Sequence, residues 1–351
     1  MATTQFGQST EMVETAVEHI IQLDDTYPGR SLTVDALHRL VRNRAAVIGF
    51  IIIVLNIGMA LFAPYLAPKD YDEASFRDNN AVHTWMTHVF PNMTPREEGG
   101  YVTVNDDYLL GADALGRDLL SRILYGARVS LAVAFIGPAI SLTFGLLIGV
   151  TAGYLGGRVD NFLMRVVDIM YAFPTYLLII LLMAFFRFGE SAPGSFVARL
   201  GDADAALGGM LFIFVGIGFT SWMGTARMSR GLVLSVRETT YVEAARATGA
   251  RSGRIIRHHL LPNIIGPLVV TETLSIPNYI SYEAFLSFIG LGVNPPRPSW
   301  GGMIAEGAQK IQTYPFQAVF PALALFLIMF AFNFLGDGLR DAVDPRLRGV
   351  K

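Results

Sequence analysis

Six stretches of this chain stay apolar long enough to cross a bilayer: residues 45–66, 129–154, 166–186, 208–226, 263–285 and 317–336. A helix rises 1.5 Å per residue, so ~20 such residues cover a hydrocarbon core ~30 Å thick. The pattern predicts an all-α polytopic membrane protein with about six transmembrane helices over residues 44–351. Polar positions dominate at 1–43, which read as a partly helical extension, and no apolar run precedes Ala45, so a signal peptide is not predicted. Two further polar segments separate the spans, a long loop at 67–128 and a second at 227–262. The long loop turns amphipathic from Leu115 to Val129, where Leu119, Leu120, Ile123 and Leu124 oppose Arg117, Arg122 and Arg128. That arrangement predicts a helix lying in the interface, its arginines reaching the headgroups.

Charge orients the spans. With both termini cytoplasmic, 17 of the 27 Lys and Arg residues fall inside. The others lie mostly in the long loop, where charge biases orientation weakly. The opposite orientation would place the seven arginines of 227–262 outside. The expected membrane is a bacterial or archaeal cytoplasmic membrane.

Within the spans, Gly145, Gly149 and Gly153 recur every four residues, a spacing that lets helix backbones approach closely, within the chain or against a second one. Gly137-Pro138 and Pro174 predict kinks, and Pro277 is expected to end or bend the fifth span, leaving Tyr282–Leu291 as a short separate helix. Glu272 is the deepest acidic residue. It either faces a substrate path, where it could meet an amine or guanidinium, or bonds a neighbouring helix. Asp168 and Glu283 lie nearer span ends and read as structural.

Composition narrows the chemistry. Hydrophobic residues make up 52% and charged ones 16%, below the ~25% of soluble domains. Without cysteine there is no disulfide, iron–sulfur cluster or thiol catalysis. The three lysines, Lys69, Lys310 and Lys351, follow Pro68, Gln309 and Val350, so no phosphate loop of the GxxxxGK[ST] type exists. Any ATPase driving this chain is another polypeptide. No HExxH, GxSxG or GxGxxG site is present, and His258 and His259 would point ~100° apart on a helix, poor geometry for a shared metal. A net charge of −2 gives no reason to invoke nucleic acid.

The most informative segment is 241–263, YVEAARATGARSGRIIRHHLLPN. Tyr241 to Ala247 favours a helix that Gly249 can end in a left-handed conformation, and Ser252 can cap the next one. Ala244 and Ala245 leave a bare face for a partner's groove, rimmed by Glu243, Arg246, Arg251, Arg254 and Arg257. Read on charge alone, the same segment is an ordinary solvated loop.

It also resembles the cytoplasmic EAA loop of ATP-binding cassette importer permeases, EAA-x3-G-x9-I-x-L-P. Glu243, Ala244, Ala245, Gly249, Leu261 and Pro262 keep that register, while His259 stands in the place of isoleucine. The segments 109–131, 153–174, 281–307 and 332–348 are similar to the dipeptide/oligopeptide (and nickel) permeases, in particular their C-type subunit. The resemblance implies a type I importer permease fold and a non-catalytic subunit. It implies a second homologous permease, two ATPase subunits that carry ATP and magnesium, and an extracytoplasmic substrate-binding protein, with no cofactor on this chain. The ATPase-coupling residues would be Tyr241, Glu243, Ala244, Ala245, Arg246, Gly249, His259, Leu261 and Pro262. Peptide is the implied cargo, nickel or another small solute the nearest rival. An ion-coupled secondary transporter would leave the EAA register unexplained and offers little intramembrane charge for coupling.

Overall fold

Asn43 opens the first long helix. Its side-chain oxygen accepts the backbone amides of Ala45 and Ala46 at 3.1 and 3.2 Å, ending α1 (Leu32–Arg42) and starting α2 (Arg44–Leu61). The computed structural model describes residues 32–188, 192 and 194–343, so most of the extension expected at 1–43 lies outside the described residues. After the short α3 (Ala63–Leu66) and α4 (Thr84–Val89) come the long α5 (Leu119–Leu155), α6 (Gly157–Tyr171) and α7 (Thr175–Phe188). Then follow α8 (Phe196–Ala206), α9 (Leu211–Val236), α10 (Thr240–Ala247), α11 (Ser252–Ile255), α12 (Leu261–Phe288), α13 (Trp300–Ala308) and α14 (Phe316–Val343). Among the described residues, five helical stretches are long and apolar enough to cross a membrane, or six where α6 and α7, bent by 83°, count as one span.

Several expectations need correcting. The predicted interfacial helix at 115–129 does not exist as a separate element, because Asp118 caps α5 and the helix runs unbroken from Leu119 through Pro138 to Leu155. Arg117 and Arg122 are buried in ion pairs instead of reaching outward, and Arg128 donates to the Ala60 carbonyl at 2.7 Å. The reason is a competing acceptor set: Asp113 and Glu306 offer charged partners in the fold, which water-facing headgroups would have to beat. Pro277 neither ends nor splits the fifth span, since α12 continues to Phe288 with Ser281 donating to the carbonyl of Pro277. Pro174 does more than kink its span. It separates α6 from α7, and residues 166–171 leave the predicted third span to join a different helix.

The glycine ladder packs within the chain. A β-carbon at Gly145 or Gly149 would sit 2.6 Å from the β-carbon of Thr225 or Ser229, and at Gly153 2.9 Å from that of Val233. All three partners lie on α9, so bare glycine faces let α5 and α9 run backbone to backbone.

Residues 67–118 fold as part of the main core. Val82, Met86, Met93, Val102 and Tyr108 are fully buried, and isolated bridges join Val82 to Val104 and Pro95 to Val102. Val82, Met86, Met93 and Val102 share one apolar cluster with Trp300 and Phe316, and the Trp300 indole donates to the Ile123 carbonyl at 3.0 Å. The long loop is thereby fastened over one end of the bundle. The opposite end carries α10 and α11.

Candidate functional site

Helix α10 is only eight residues long, too short to be stable in water by itself. Its one buried side chain, Val242, belongs to an apolar cluster with Val150 of α5, Val233 of α9, Ile255 of α11, Leu260, and Ile264 and Leu268 of α12. Burial of a valine is worth about 1.5–3 kcal/mol relative to leaving it exposed. The cluster draws its members from three spans. Sequence reasoning did not single out Val242, Ile255 or Leu260. Their signal was their apolar character inside a charged loop.

The C-terminus of α10 closes as the sequence predicts. Gly249 has φ +83°, its amide donates to the Arg246 carbonyl at 2.9 Å, and the Ala250 amide reaches the Ala245 carbonyl at 3.0 Å. These two bonds form a Schellman motif. Ser252 does not cap the next helix. Arg251, with extended backbone, takes the cap position and Ser252 becomes the first helical residue, its side chain exposed.

From Ser252 the chain passes without interruption through a π-helical turn, Ile256–Leu260, into α12. Pro262 follows the π turn directly, as the second residue of α12. His259, in the isoleucine position, is half-buried with its ring 6.2 Å from that of Tyr241, so a tilted ring contact takes the place of an aliphatic one. Leu261 packs on the Val242 cluster.

The outward face of this assembly is formed by Tyr241, Glu243, Ala244, Arg246, Ala247 and Thr248, all exposed, with Ala245 half-buried at its edge. Arg246 lies over the Tyr154 ring at 5.7 Å. Glu243, Arg251, Arg254 and Arg257 enter no ion pair among the described residues, which leaves one acidic and three basic groups for a partner. Behind the face, α6 is pinned to α9. Arg230 grips both oxygens of Asp160, at 2.5 and 2.6 Å, and Arg227 pairs with Asp168 at 2.5 Å; Arg237, just past α9, donates to the Gly153 carbonyl of α5 at 2.7 Å.

Glu272 lies deeper in α12 and is 3% exposed. Ser141 of α5 donates to its Oε1 at 2.7 Å, Thr225 of α9 donates to the same atom, and Tyr279 donates to Oε2 at 2.8 Å. Of the two roles open to Glu272, bonding neighbouring helices is the one its surroundings display, since hydroxyls from three helices satisfy both oxygens. Glu283 is fully buried and accepts from Ser287 at 2.7 Å.

A family model described as the binding-protein-dependent transport system inner membrane component matches residues 145–349. A second, the N-terminal TM domain of oligopeptide transport permease C, matches residues 31–84. The chain is 36% identical to the oligopeptide transport system permease protein OppC of Haemophilus influenzae, over 97% of this chain and 96% of that protein. It is 37% identical to the dipeptide transport system permease protein DppC of Bacillus subtilis, over 92% of this chain and 88% of the other. Among solved structures, a chain of the inward-facing MetNI methionine ABC transporter covers 64% of this chain and 96% of its own length, with 20% identity and a TM-score of 0.44.

Proposed function

The chain belongs to the family of binding-protein-dependent transport system inner membrane components, and from that premise we propose that it is a permease subunit of an ATP-driven importer of peptides. It is a multi-pass protein of the inner membrane. Both relatives named above are peptide permeases by name, and they align over nearly the whole of this chain. ATPase and binding-protein partners follow from membership of such a system. The further reading is that a second homologous permease completes the pathway, that two ATPase subunits dock on the face of α10, and that both termini are cytoplasmic. Residues 67–118 are then external.

One observation carries the mechanism. The exposed helix α10 buries Val242 in one apolar cluster shared by α5, α9 and α12, and α11 continues directly into α12. A partner that moves Glu243, Ala244 and Thr248 therefore moves three spans through a packed contact instead of flexing a loop. The unpaired Glu243 and the arginines around it orient the partner, and Gly249 fixes the angle between α10 and α11. Glu272 ties the same three helices together within the membrane, so that they move as one body. This chain holds no nucleotide; it receives the motion that hydrolysis produces on its partners.

The test is reconstitution of the four-subunit complex in liposomes with the binding protein outside, comparing wild-type ATPases with hydrolysis-dead ones. Peptide uptake should stop with the dead ATPases. Uptake that continues unchanged would reject the importer reading in favour of a secondary transporter.

A further inference from the structure

Away from the ATPase face, the start of α5 holds a cluster of charges that the transport reading leaves unused. Asp113 accepts the backbone amides of Leu115 at 2.8 Å and Arg117 at 3.0 Å. Its other oxygen takes the Arg117 Nε at 2.7 Å and the Arg122 Nη1 in a closer bond. Glu306 of α13 completes the group. Its Oε2 accepts from Arg122 Nη1 at 2.8 Å and Arg117 Nη2 at 3.3 Å, and its Oε1 accepts from Arg122 Nη2 at 3.3 Å.

Glu306 differs from its three partners. The side chains of Asp113, Arg117 and Arg122 are 10% exposed or less, whereas that of Glu306 is 51% exposed. It arrives from a different element, 184 positions beyond Arg122. It also lies against a cavity of about 400 Å³, lined by Arg117, Arg122, Arg297, Ser299 and Gln309. That volume is in the range of small-molecule sites, ~300–1,000 Å³. Arg297, exposed on the rim, enters no ion pair among the described residues, and the buried Nε of Arg122 has no hydrogen-bond partner. Three guanidiniums thus face two carboxylates, one of which is displaceable.

We propose that this cavity receives the terminal carboxylate of an arriving peptide, and that Glu306 occupies the guanidinium fork until the peptide displaces it. Planar guanidinium binds a carboxylate through two parallel bonds, and Glu306 already shows that posture on Arg122. Arg122 lies at 3% exposure beneath the cavity, so a thin chain end reaches it and an acidic side chain on a folded protein surface does not. The proposal rests on the peptide reading above.

The experiment uses the complete permease–ATPase complex in lipid nanodiscs without the binding protein. The probes are trialanine labelled with fluorescein at its amino end and the same peptide as its carboxy-terminal amide, read by fluorescence anisotropy. Glu306→Ala should tighten binding of the acid about tenfold, by removing the internal competitor, while the amide changes by less than about twofold. Adding Arg122→Lys should abolish the gain. If Glu306→Ala does not assemble, Glu306→Gln, which keeps shape and loses charge, is read instead. Equal changes for acid and amide, or none, overturn the proposal. Peptide uptake by the wild-type complex is measured in parallel in liposomes with the binding protein outside. Intact uptake without the acid-selective gain removes the carboxylate site and leaves the transport reading standing, whereas absent uptake removes both.

Discussion

Arg230 and Asp160 are 70 positions apart and meet fork to fork, Nε on Oδ1 and Nη2 on Oδ2. The pair locks α6 to the C-terminal half of α9. The Asp160 side chain is 11% exposed and that of Arg230 34%, so the pair is partly screened and its loss should cost about 1–2 kcal/mol. Asp160→Ala and Arg230→Ala are each expected to reduce peptide-stimulated ATPase activity while insertion stays normal. The exchange Asp160→Arg with Arg230→Asp should recover part of it. A double-mutant cycle that shows no coupling would make the pair incidental.

Gly249 and Glu243 separate geometry from recognition. Gly249→Val forces a β-branched residue to φ +83°, at a cost of about 1–3 kcal/mol, although the space around it is open. The Schellman closure should fail and the docking face should turn away. Glu243→Lys leaves the backbone alone and changes only the unpaired charge. Both variants should reach normal membrane levels and lose ATPase association in pull-downs of extracted complex. Full association and full uptake in both would reduce the segment to a solvated connection.

Topology can be read without background because the chain has no cysteine. Asp72 and Ser252 are both exposed, on opposite ends of the bundle. A membrane-impermeant maleimide added to sealed cells should label Asp72→Cys and spare Ser252→Cys. Labelling of Ser252→Cys would invert the orientation and separate α10 from any cytoplasmic ATPase.

The segment 67–118 should sense acid. Asp78 accepts from the Ser75 hydroxyl at 2.6 Å, the Asn105 amide at 3.0 Å and the Tyr108 phenol at 3.3 Å, which hold its carboxyl below the ordinary value of 3.8. Asp106 is lowered too, by the Thr84 amide and then the Thr84 hydroxyl. A depressed folded value means stabilisation that is present above the unfolded value and lost as pH falls through the folded one. Pepsin cleavage within 67–118 should therefore accelerate below about pH 4, and Asp78→Asn should flatten that dependence. An unchanged profile in the variant would exclude Asp78 as the sensor.

The spans were legible because hydrocarbon imposes a length and an apolar composition that single residues report directly. Gly249 was legible for a related reason, since a left-handed turn in a polar loop has few other solutions. Val242 was not, because one valine among charges gives no periodicity to read. Nor was Glu306, because the partner of Arg122 lies in a distant helix and only the fold brings the two together. The arginines of α5 read as amphipathic decoration for the same reason. The burial of 67–118 against Trp300 and Phe316 had no local signal either.

The π turn at Ile256–Leu260 places one residue more between α11 and α12 than an α-helix would need. An extra residue rotates everything beyond it by about 100° about the helix axis. Leu260, Ile264, Leu268 and Glu272 follow one another at intervals of four, all buried, and Glu272 finds Ser141 and Thr225 only in that orientation. Removing a single residue from the turn would keep the same composition and nearly the same reach, yet present a different side of α12 to its neighbours. The interval from Gly249 to Pro262 is therefore an angular setting as much as a length, the phase relation between the surface helix and the span it runs into.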